Sequence, residues 1–114
     1  MRERVVIKWG GGLITKKEVL KQPLLDVIGS LADQILECNR EGIDVILVHG
    51  AGSFGHLKAK TYRLAEGRLN TSEAHSLGPL TQDEAIEEVR NDMMELNRHI
   101  MDALTKRDIS AVSL

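Results

Sequence analysis

The sequence has few of the residues that mark several large classes of protein. It contains one cysteine, Cys38, and three aromatic side chains in 114 residues. A single cysteine excludes an internal disulfide and favours a reducing compartment. Cys38 is aligned with Leu31 and Ile35 on a predicted helical face, which favours a buried thiol over a nucleophile. Three aromatics provide no stacking platform for nucleic-acid bases.

Charge of one sign and long apolar runs are also missing. Fifteen basic and 17 acidic residues give a net charge of −2, without a polybasic block. We therefore predict neither a nucleic-acid partner nor an anionic membrane partner. No apolar run reaches the length of a signal-peptide core or a membrane span. The expectation is a cytoplasmic protein, and the length predicts a single domain over residues 1–114.

What the sequence does contain is a strand, a helix and a second strand in its first half. Residues 4–9 contain the apolar run Val5-Val6-Ile7, and residues 43–48 are apolar apart from Asp44. Both segments are rich in β-branched residues, as is typical of strands covered on both faces. Between them, Pro23 is predicted to open a helix and Gly42 to end it. This order predicts a right-handed βαβ unit with parallel strands.

A glycine-rich turn follows each predicted strand. The first glycine turn is residues 10–12, and the second glycine turn is residues 50–55. Because the carboxyl ends of parallel strands share one edge of the sheet, both turns are expected at the edge where ligands of α/β sheets bind. Glycines there let backbone N–H groups approach an anion. The pattern predicts a phosphate site.

The second half of the chain is predicted less sharply. Residues 53–64 favour a short helix with Ser53 near its start. Residues 65–79 are rich in helix breakers, and they are predicted to form either a surface lid or a plain connecting loop. Thr81 and Glu84 form a predicted capping box for a helix that runs to about residue 107. Methionines on that helix favour core packing over a ligand pocket. Residues 109–114 are predicted as a third strand.

Two common phosphate motifs fit the second glycine turn poorly. Gly50, Gly52 and Gly55 match the dinucleotide fingerprint, but the acidic residue expected about 20 positions later would be Glu73, which is not in a predicted strand. A Walker A loop is set aside because histidine and leucine occupy the positions of its lysine and hydroxyl residue.

Taken together, the two turns resemble a known family. The matching segments are Lys8-Trp9-Gly10-Gly11-Gly12, Ile14-Thr15-Lys16-Lys17 and Val48-His49-Gly50-Ala51-Gly52-Ser53-Phe54-Gly55-His56. They are similar to the N-terminal half of isopentenyl phosphate kinases, which are members of the amino acid kinase superfamily. The resemblance implies an α/β fold with a three-layer parallel sheet, truncated to the acceptor-binding half, with the nucleotide-binding half absent.

The resemblance also implies a role for each turn. The first glycine turn and two lysines would hold the phosphates of ATP, and the second glycine turn would hold the acceptor phosphate. The implied ATP-binding residues are Lys8, Gly10, Gly11, Gly12 and Lys17. The implied acceptor-binding residues are Ala51, Gly52, Gly55 and His56. Lys8, Lys17 and His56 are the implied catalytic residues, and His56 is expected to face Lys8 across a cleft.

Gly12 departs from the resemblance, since the family usually has serine there. The implied reaction is phosphorylation of isopentenyl phosphate by ATP with Mg²⁺, and no protein metal site is predicted. The alternative function is a non-catalytic remnant that binds a phosphorylated small molecule or serves in assembly. The predicted partners are a phosphorylated small-molecule substrate and either a second copy of the chain or a separate chain that supplies the missing half.

Overall fold

Two parallel strands form the sheet of this protein. In the computed structural model, which describes residues 2–114, β1 is Glu3–Trp9 and β2 is Ile43–His49. Their register places Val6 opposite Ile46 and Lys8 opposite Val48. The predicted parallel pairing is confirmed, and each strand is one residue longer at one end than predicted. The α/β class is confirmed as well.

Helix α2, Leu25–Arg40, connects the two strands. The prediction that Pro23 opens this helix is wrong. Pro23 lies two residues before the helix, where it forms an isolated antiparallel bridge with Thr15. The prediction at the other end is confirmed, because Gly42 follows the C-cap Glu41 and donates its N–H to the carbonyl of Asn39. The bridge between Thr15 and Pro23 thus holds the segment that leads into the helix.

One face of the sheet carries the hydrophobic core. Side chains of β1 and β2 alternate, so that Trp9 is buried and Leu47 packs against the buried cluster formed with α2 and the long C-terminal helix. On the opposite face, Val6, Ile46 and Val48 are exposed, with 68%, 47% and 46% of their surface accessible. Among residues 2–114, helices thus cover one of the two faces that the apolar runs predicted to be covered.

A short helical element begins within each glycine turn. Helix α1, Gly11–Ile14, comes after β1. A 3₁₀-helix, Gly52–Phe54, comes after β2, and then follow helix α3, His56–Thr61, a second 3₁₀-helix, Leu64–Glu66, and helix α4, Thr71–His75. The single helix predicted over residues 53–64 is therefore divided. The segment predicted as irregular contains α4, because the side chain of Asn70 caps it by accepting the N–H of Glu73.

Helix α5, Gln82–Thr105, is the longest element. The predicted capping box is confirmed, since Thr81 accepts the N–H of Glu84 and the Glu84 carboxylate accepts the N–H of Thr81. One side of the helix packs against the core. Ile86 is exposed, and the buried residues are Ala85, Asp92, Leu96, Ile100 and Leu104. Met94 is exposed, whereas Met101 packs against the core.

The predicted third strand over residues 109–114 is wrong for this structure. Ile109 is buried and its N–H returns to the carbonyl of Leu104, but residues 110–114 are exposed and form no ladder with β2. The segment borders a groove of about 480 Å³ beside β2. Asn97 donates to the hydroxyl of Ser113 across this groove. A strand requires a hydrogen-bonding partner along its length, and the turn at Ile109 directs the backbone away from that pairing.

None of the helices found in residues 2–114 has the length and apolar character needed to span a membrane.

Candidate functional site

The two glycine turns lie against each other at the carboxyl ends of the strands. The N–H of Gly50 donates to the carbonyl of Trp9 at 2.9 Å, which extends the pairing of the strands into the turns. A Cβ atom on Gly50 would lie 2.8 Å from the backbone nitrogen of Gly11. Both turns are therefore at the same sheet edge, as the βαβ order predicts.

Glycine is required where the turns meet. A Cβ atom on Gly11 would overlap the backbone nitrogen of Gly52. Gly52 has a φ of 50°, a conformation that favours glycine, and a Cβ atom there would overlap the hydroxyl of Thr15. By contrast, a Cβ atom on Gly10 or Gly12 would meet no atom within 4 Å. Gly11 and Gly52 thus allow the turns to pack closely, whereas Gly10 and Gly12 face open space.

Several backbone N–H groups in the turns have no hydrogen-bond partner among the described residues, and Gly52 among them is buried. Among residues 2–114, the N–H groups of Gly11, Gly12, Ala51 and Gly52 donate no hydrogen bond to the protein. The N–H of Gly55, predicted to bind the acceptor phosphate, donates instead to the carbonyl of Gly52 at 3.2 Å. The free donors lie in both turns, so a pair of adjacent anions fits this edge of the sheet.

The three predicted catalytic residues are ionisable, lie close to these turns in sequence and have exposed side chains. Lys8 lies near the end of β1 on the open face of the sheet, Lys17 follows α1, and His56 is the first residue of α3. Salt bridges among residues 2–114 leave Lys8 and Lys17 without a carboxylate partner. Both cations are therefore available to an external anion. The expectation that Lys8 and His56 face each other across a cleft stays a prediction.

A buried hydroxyl that the sequence interpretation did not assign joins the two turns. Thr15 is 1% exposed, and its Oγ1 donates to the carbonyl of Gly11 at 2.7 Å and accepts the N–H of Ser53 at 3.0 Å. Ser53 is fully buried, its carbonyl accepts the N–H of Lys21 at 3.2 Å, and its hydroxyl accepts the N–H of Gln22 at 3.3 Å. The segment after α1 is thus held against the second glycine turn.

A cluster of charged side chains lies behind the second glycine turn. We call it the Asp92 cluster, and its members are Lys21, Lys58, Glu88, Asp92 and Glu95. Lys58 on α3 is 2.7 Å from the Asp92 carboxylate and 2.9 Å from Glu88. Lys21 is 2.7 Å from Glu95 and 3.5 Å from Asp92. The cluster connects α3 and the segment after α1 to α5.

The carboxylates of the Asp92 cluster keep its two lysines protonated. The hydrogen bond with Asp92 raises the pKa of Lys58, and the hydrogen bond with Glu95 raises the pKa of Lys21. Their charges are balanced within the protein, which distinguishes them from Lys8 and Lys17. The sequence carried a signal for this cluster, because Asp92 lies three residues after Val89 and four before Leu96, within an apolar helical face.

The other histidines have structural contacts. Half-buried His49 has Nδ1 3.0 Å from the carbonyl of Gly50 and Nε2 3.3 Å from the side-chain oxygen of Asn97. His75 is exposed. His99 is half-buried and packs edge-on against Phe54, with ring centroids 6.2 Å apart.

Tyr62 is buried, although the family resemblance also extends to this residue and implies a place for it beside the isoprenoid pocket. Its hydroxyl accepts the N–H of Leu80 at 3.2 Å. The ring thus packs against the segment before α5, and a role beside a substrate stays a prediction.

A protein-made metal site is not evident in the part of the chain that the structure describes. Residues 2–114 contain no group of three or more histidine, cysteine, aspartate or glutamate side chains arranged to hold a metal ion. The carboxylates nearest the second glycine turn are occupied by lysines in the Asp92 cluster. The residues described here therefore do not fit a magnesium site of their own.

Comparison with known proteins identifies the family. The family model described as the amino acid kinase family matches residues 3–114. The chain belongs to the amino acid kinase family. The resemblance that the glycine turns carried is therefore confirmed over almost the whole chain.

Two curated relatives match almost the whole of this chain. The isopentenyl phosphate kinase of Methanothermobacter thermautotrophicus is 33% identical over 115 residues, covering 96% of this chain and 39% of the relative. The isopentenyl phosphate kinase of Methanocaldococcus jannaschii is 30% identical over 117 residues, covering 96% of this chain and 42% of the relative. The chain spans about two-fifths of the length of these relatives.

Solved structures agree with this assignment. An isopentenyl phosphate kinase structure matches 98% of this chain with a TM-score of 0.81 and 29% identity, over 43% of its own length. A substrate complex of isopentenyl phosphate kinase matches 100% of this chain with a TM-score of 0.74 and 28% identity, over 42% of its length. The described fold is thus similar to a contiguous part of larger kinases.

Proposed function

We propose that this chain is the acceptor-binding part of an isopentenyl phosphate kinase, which phosphorylates isopentenyl phosphate to isopentenyl diphosphate with ATP. One observation carries the proposal: two glycine turns with free N–H groups lie in backbone contact at one edge of a parallel sheet. Two adjacent phosphate groups need such a pair of cradles. The names of the relatives support the choice of acceptor.

Each turn has a separate task in this proposal. The N–H groups of Gly11 and Gly12, with Lys8 and Lys17, would bind the phosphates of ATP. Those of Ala51 and Gly52, with the His56 side chain, would bind the acceptor phosphate. ATP supplies the phosphoryl group that moves to an acceptor oxygen. The residues of this chain contribute alignment and positive charge, which is most of what phosphoryl transfer requires from a protein.

Magnesium enters the proposal through family resemblance alone. The carboxylates near the turns are paired with lysines, so we assign no residue of this chain to the ion and derive no step through it. A second candidate function follows from the length of the relatives: a non-catalytic protein that binds a phosphorylated small molecule.

One set of measurements separates the two functions. The 114-residue chain is incubated with ATP, magnesium and isopentenyl phosphate, and diphosphate formation is followed, while calorimetry measures isopentenyl phosphate binding. Turnover supports the kinase. Binding without turnover supports the second function for the isolated chain.

A matched pair of histidine variants tests the acceptor site. His56→Ala is expected to weaken isopentenyl phosphate binding on the order of tenfold or more, because a hydrogen bond to a charged group is lost. His75→Ala removes an exposed histidine on α4 and should leave binding unchanged. Equal affinities for the native chain and His56→Ala would remove His56 from the site, and absence of any binding would defeat both functions.

A further inference from the structure

Thr15 occupies a position between the two glycine turns that no other side chain shares in residues 2–114. It follows α1 directly and is 1% exposed. Its Oγ1 is so close to Gly52 that a Cβ atom there would overlap it. Thr15 lies three residues after the first glycine turn in sequence and contacts both turns in space.

The hydrogen bonds of Thr15 run in one direction from turn to turn. Its hydroxyl hydrogen goes to the carbonyl of Gly11, and a lone pair of the same oxygen accepts the N–H of Ser53. A hydroxyl has one donor hydrogen and accepting lone pairs, so both bonds form at once. The backbone N–H of Thr15 also donates to Gly11 at 3.0 Å. The hydroxyl therefore links a carbonyl of the first turn to an N–H of the second.

This link has no replacement if the hydroxyl is removed. Ser53 is fully buried, so its N–H would lose its acceptor without gaining water. The Gly11 carbonyl would keep the Thr15 N–H as a donor. Loss of the hydroxyl would thus remove the link at Ser53, while the hydrogen bond from Gly50 to Trp9 would still join the ends of the strands.

We propose that Thr15 is a positioning residue that fixes the distance between the two phosphate-binding turns through its hydroxyl. This role rests on the proposed function, in which the first turn binds the phosphates of ATP and the second turn binds the acceptor phosphate. Phosphoryl transfer depends steeply on alignment of the two reacting groups. The threonine contacts neither ligand and acts through Gly11 and Ser53.

Three variants of the 114-residue chain test this role. Thr15→Val keeps the shape and removes the hydroxyl, while Thr15→Ser keeps the hydroxyl and removes the methyl group. Ile35→Val trims a buried side chain of α2 and serves as the control for a general loss of stability. Each is labelled with ¹⁵N, and backbone amide signals are followed with and without isopentenyl phosphate.

The expected results differ between the variants. In Thr15→Val, the Ser53 amide should exchange with solvent roughly tenfold faster or more, since its acceptor is lost. Affinity for isopentenyl phosphate should fall by about tenfold, and ligand shifts should be confined to residues 51–55. In Thr15→Ser and Ile35→Val, the ligand should shift residues 10–12 and 51–55 together, as in the native chain.

Two outcomes would overturn the role of Thr15. One is that Thr15→Ser matches Thr15→Val in exchange and affinity. The other is that Ile35→Val weakens binding as much as Thr15→Val does. If Thr15→Val does not fold, exchange in the native chain decides, because a fast Ser53 amide contradicts the hydrogen bond. If the native chain binds no isopentenyl phosphate, the proposed function fails, whereas Ser53 exchange in the ligand-free variants still decides the link between the turns.

Discussion

At the scale of single residues, the candidate site depends on glycine at positions where any side chain would clash with neighbouring backbone. Gly11 lies so close to the second glycine turn that a Cβ atom would overlap the backbone of Gly52. Gly12, the next residue, faces open space. Both glycines lie in α1 and in the first glycine turn, so replacing either by alanine should change the conformational entropy of the backbone by a similar amount. The two positions differ in packing.

Gly11→Ala is therefore expected to destabilise the protein by roughly 1–3 kcal/mol, the usual cost of forcing an extra methyl group into packed structure. Gly12→Ala should change the free energy of unfolding by less than about 1 kcal/mol, because alanine restricts the unfolded chain without a clash. Urea unfolding measures both. Equal destabilisation by the two substitutions would contradict the backbone contact between the turns.

At the scale of elements, the Asp92 cluster holds α3 against α5. Asp92 is 7% exposed and lies between Lys58 and Lys21. Asp92→Asn keeps the shape and removes the charge, so it should lower the free energy of unfolding by about 1.5–3 kcal/mol, the contribution of a hydrogen bond between charged groups. Glu37→Gln removes a pair with Arg40 in which both side chains are well exposed, and it should cost at most about 0.5 kcal/mol.

The Asp92 cluster also predicts an alkaline pH dependence. Because Asp92 raises the pKa of Lys58 above 10.5, the stabilisation is complete below pH 10.5 and is lost as the pH rises through the higher folded-state value. The difference in unfolding free energy between the native chain and Asp92→Asn should therefore shrink when the pH is raised past this value. A difference that stays constant would show that the lysine charges do not contribute.

The start of α5 offers a test on a second element. Thr81 and Glu84 cap the helix reciprocally, and the bond to the Thr81 N–H lowers the pKa of Glu84. Thr81→Ala should cost about 1 kcal/mol. Stability from Glu84 should be present above pH 4.5 and be lost as the pH falls through the lower folded-state value. Thermal unfolding of the native chain and Glu84→Gln at neutral and acid pH checks this, because glutamine has no carboxylate to protonate. The same loss of stability on acidification in both chains would contradict it.

At the scale of the whole molecule, the parts of the fold with local signals were predictable. Hydrophobic runs predicted the two strands, and Thr81 with Glu84 predicted the start of α5. The strand predicted over residues 109–114 had the right composition, but a strand also needs a pairing partner, which composition does not provide. The glycine turns were found from sequence, whereas Thr15 was missed, because its role depends on Ser53, 38 residues later.

The last prediction concerns the open face of the sheet. Val6, Ile46 and Val48 form an apolar surface across both strands, and in residues 2–114 no helix covers it. Exposed apolar surface of this kind promotes association, so we expect the isolated chain to self-associate as its concentration increases. Val6→Thr with Ile46→Thr should reduce the effect, because threonine suits a strand while adding a hydroxyl. Sedimentation velocity over a concentration series measures this.

Met94→Thr is the control for that measurement, since Met94 is an equally exposed apolar residue on α5, with 64% of its surface accessible. If association depended on general hydrophobicity, the control would reduce it as much as the sheet variant. If association depends on the sheet face, only the sheet variant will reduce it, because Val6 and Ile46 are paired across the strands and Met94 lies on α5. A native chain that stays monomeric at every concentration would show that this face needs no protein partner for solubility.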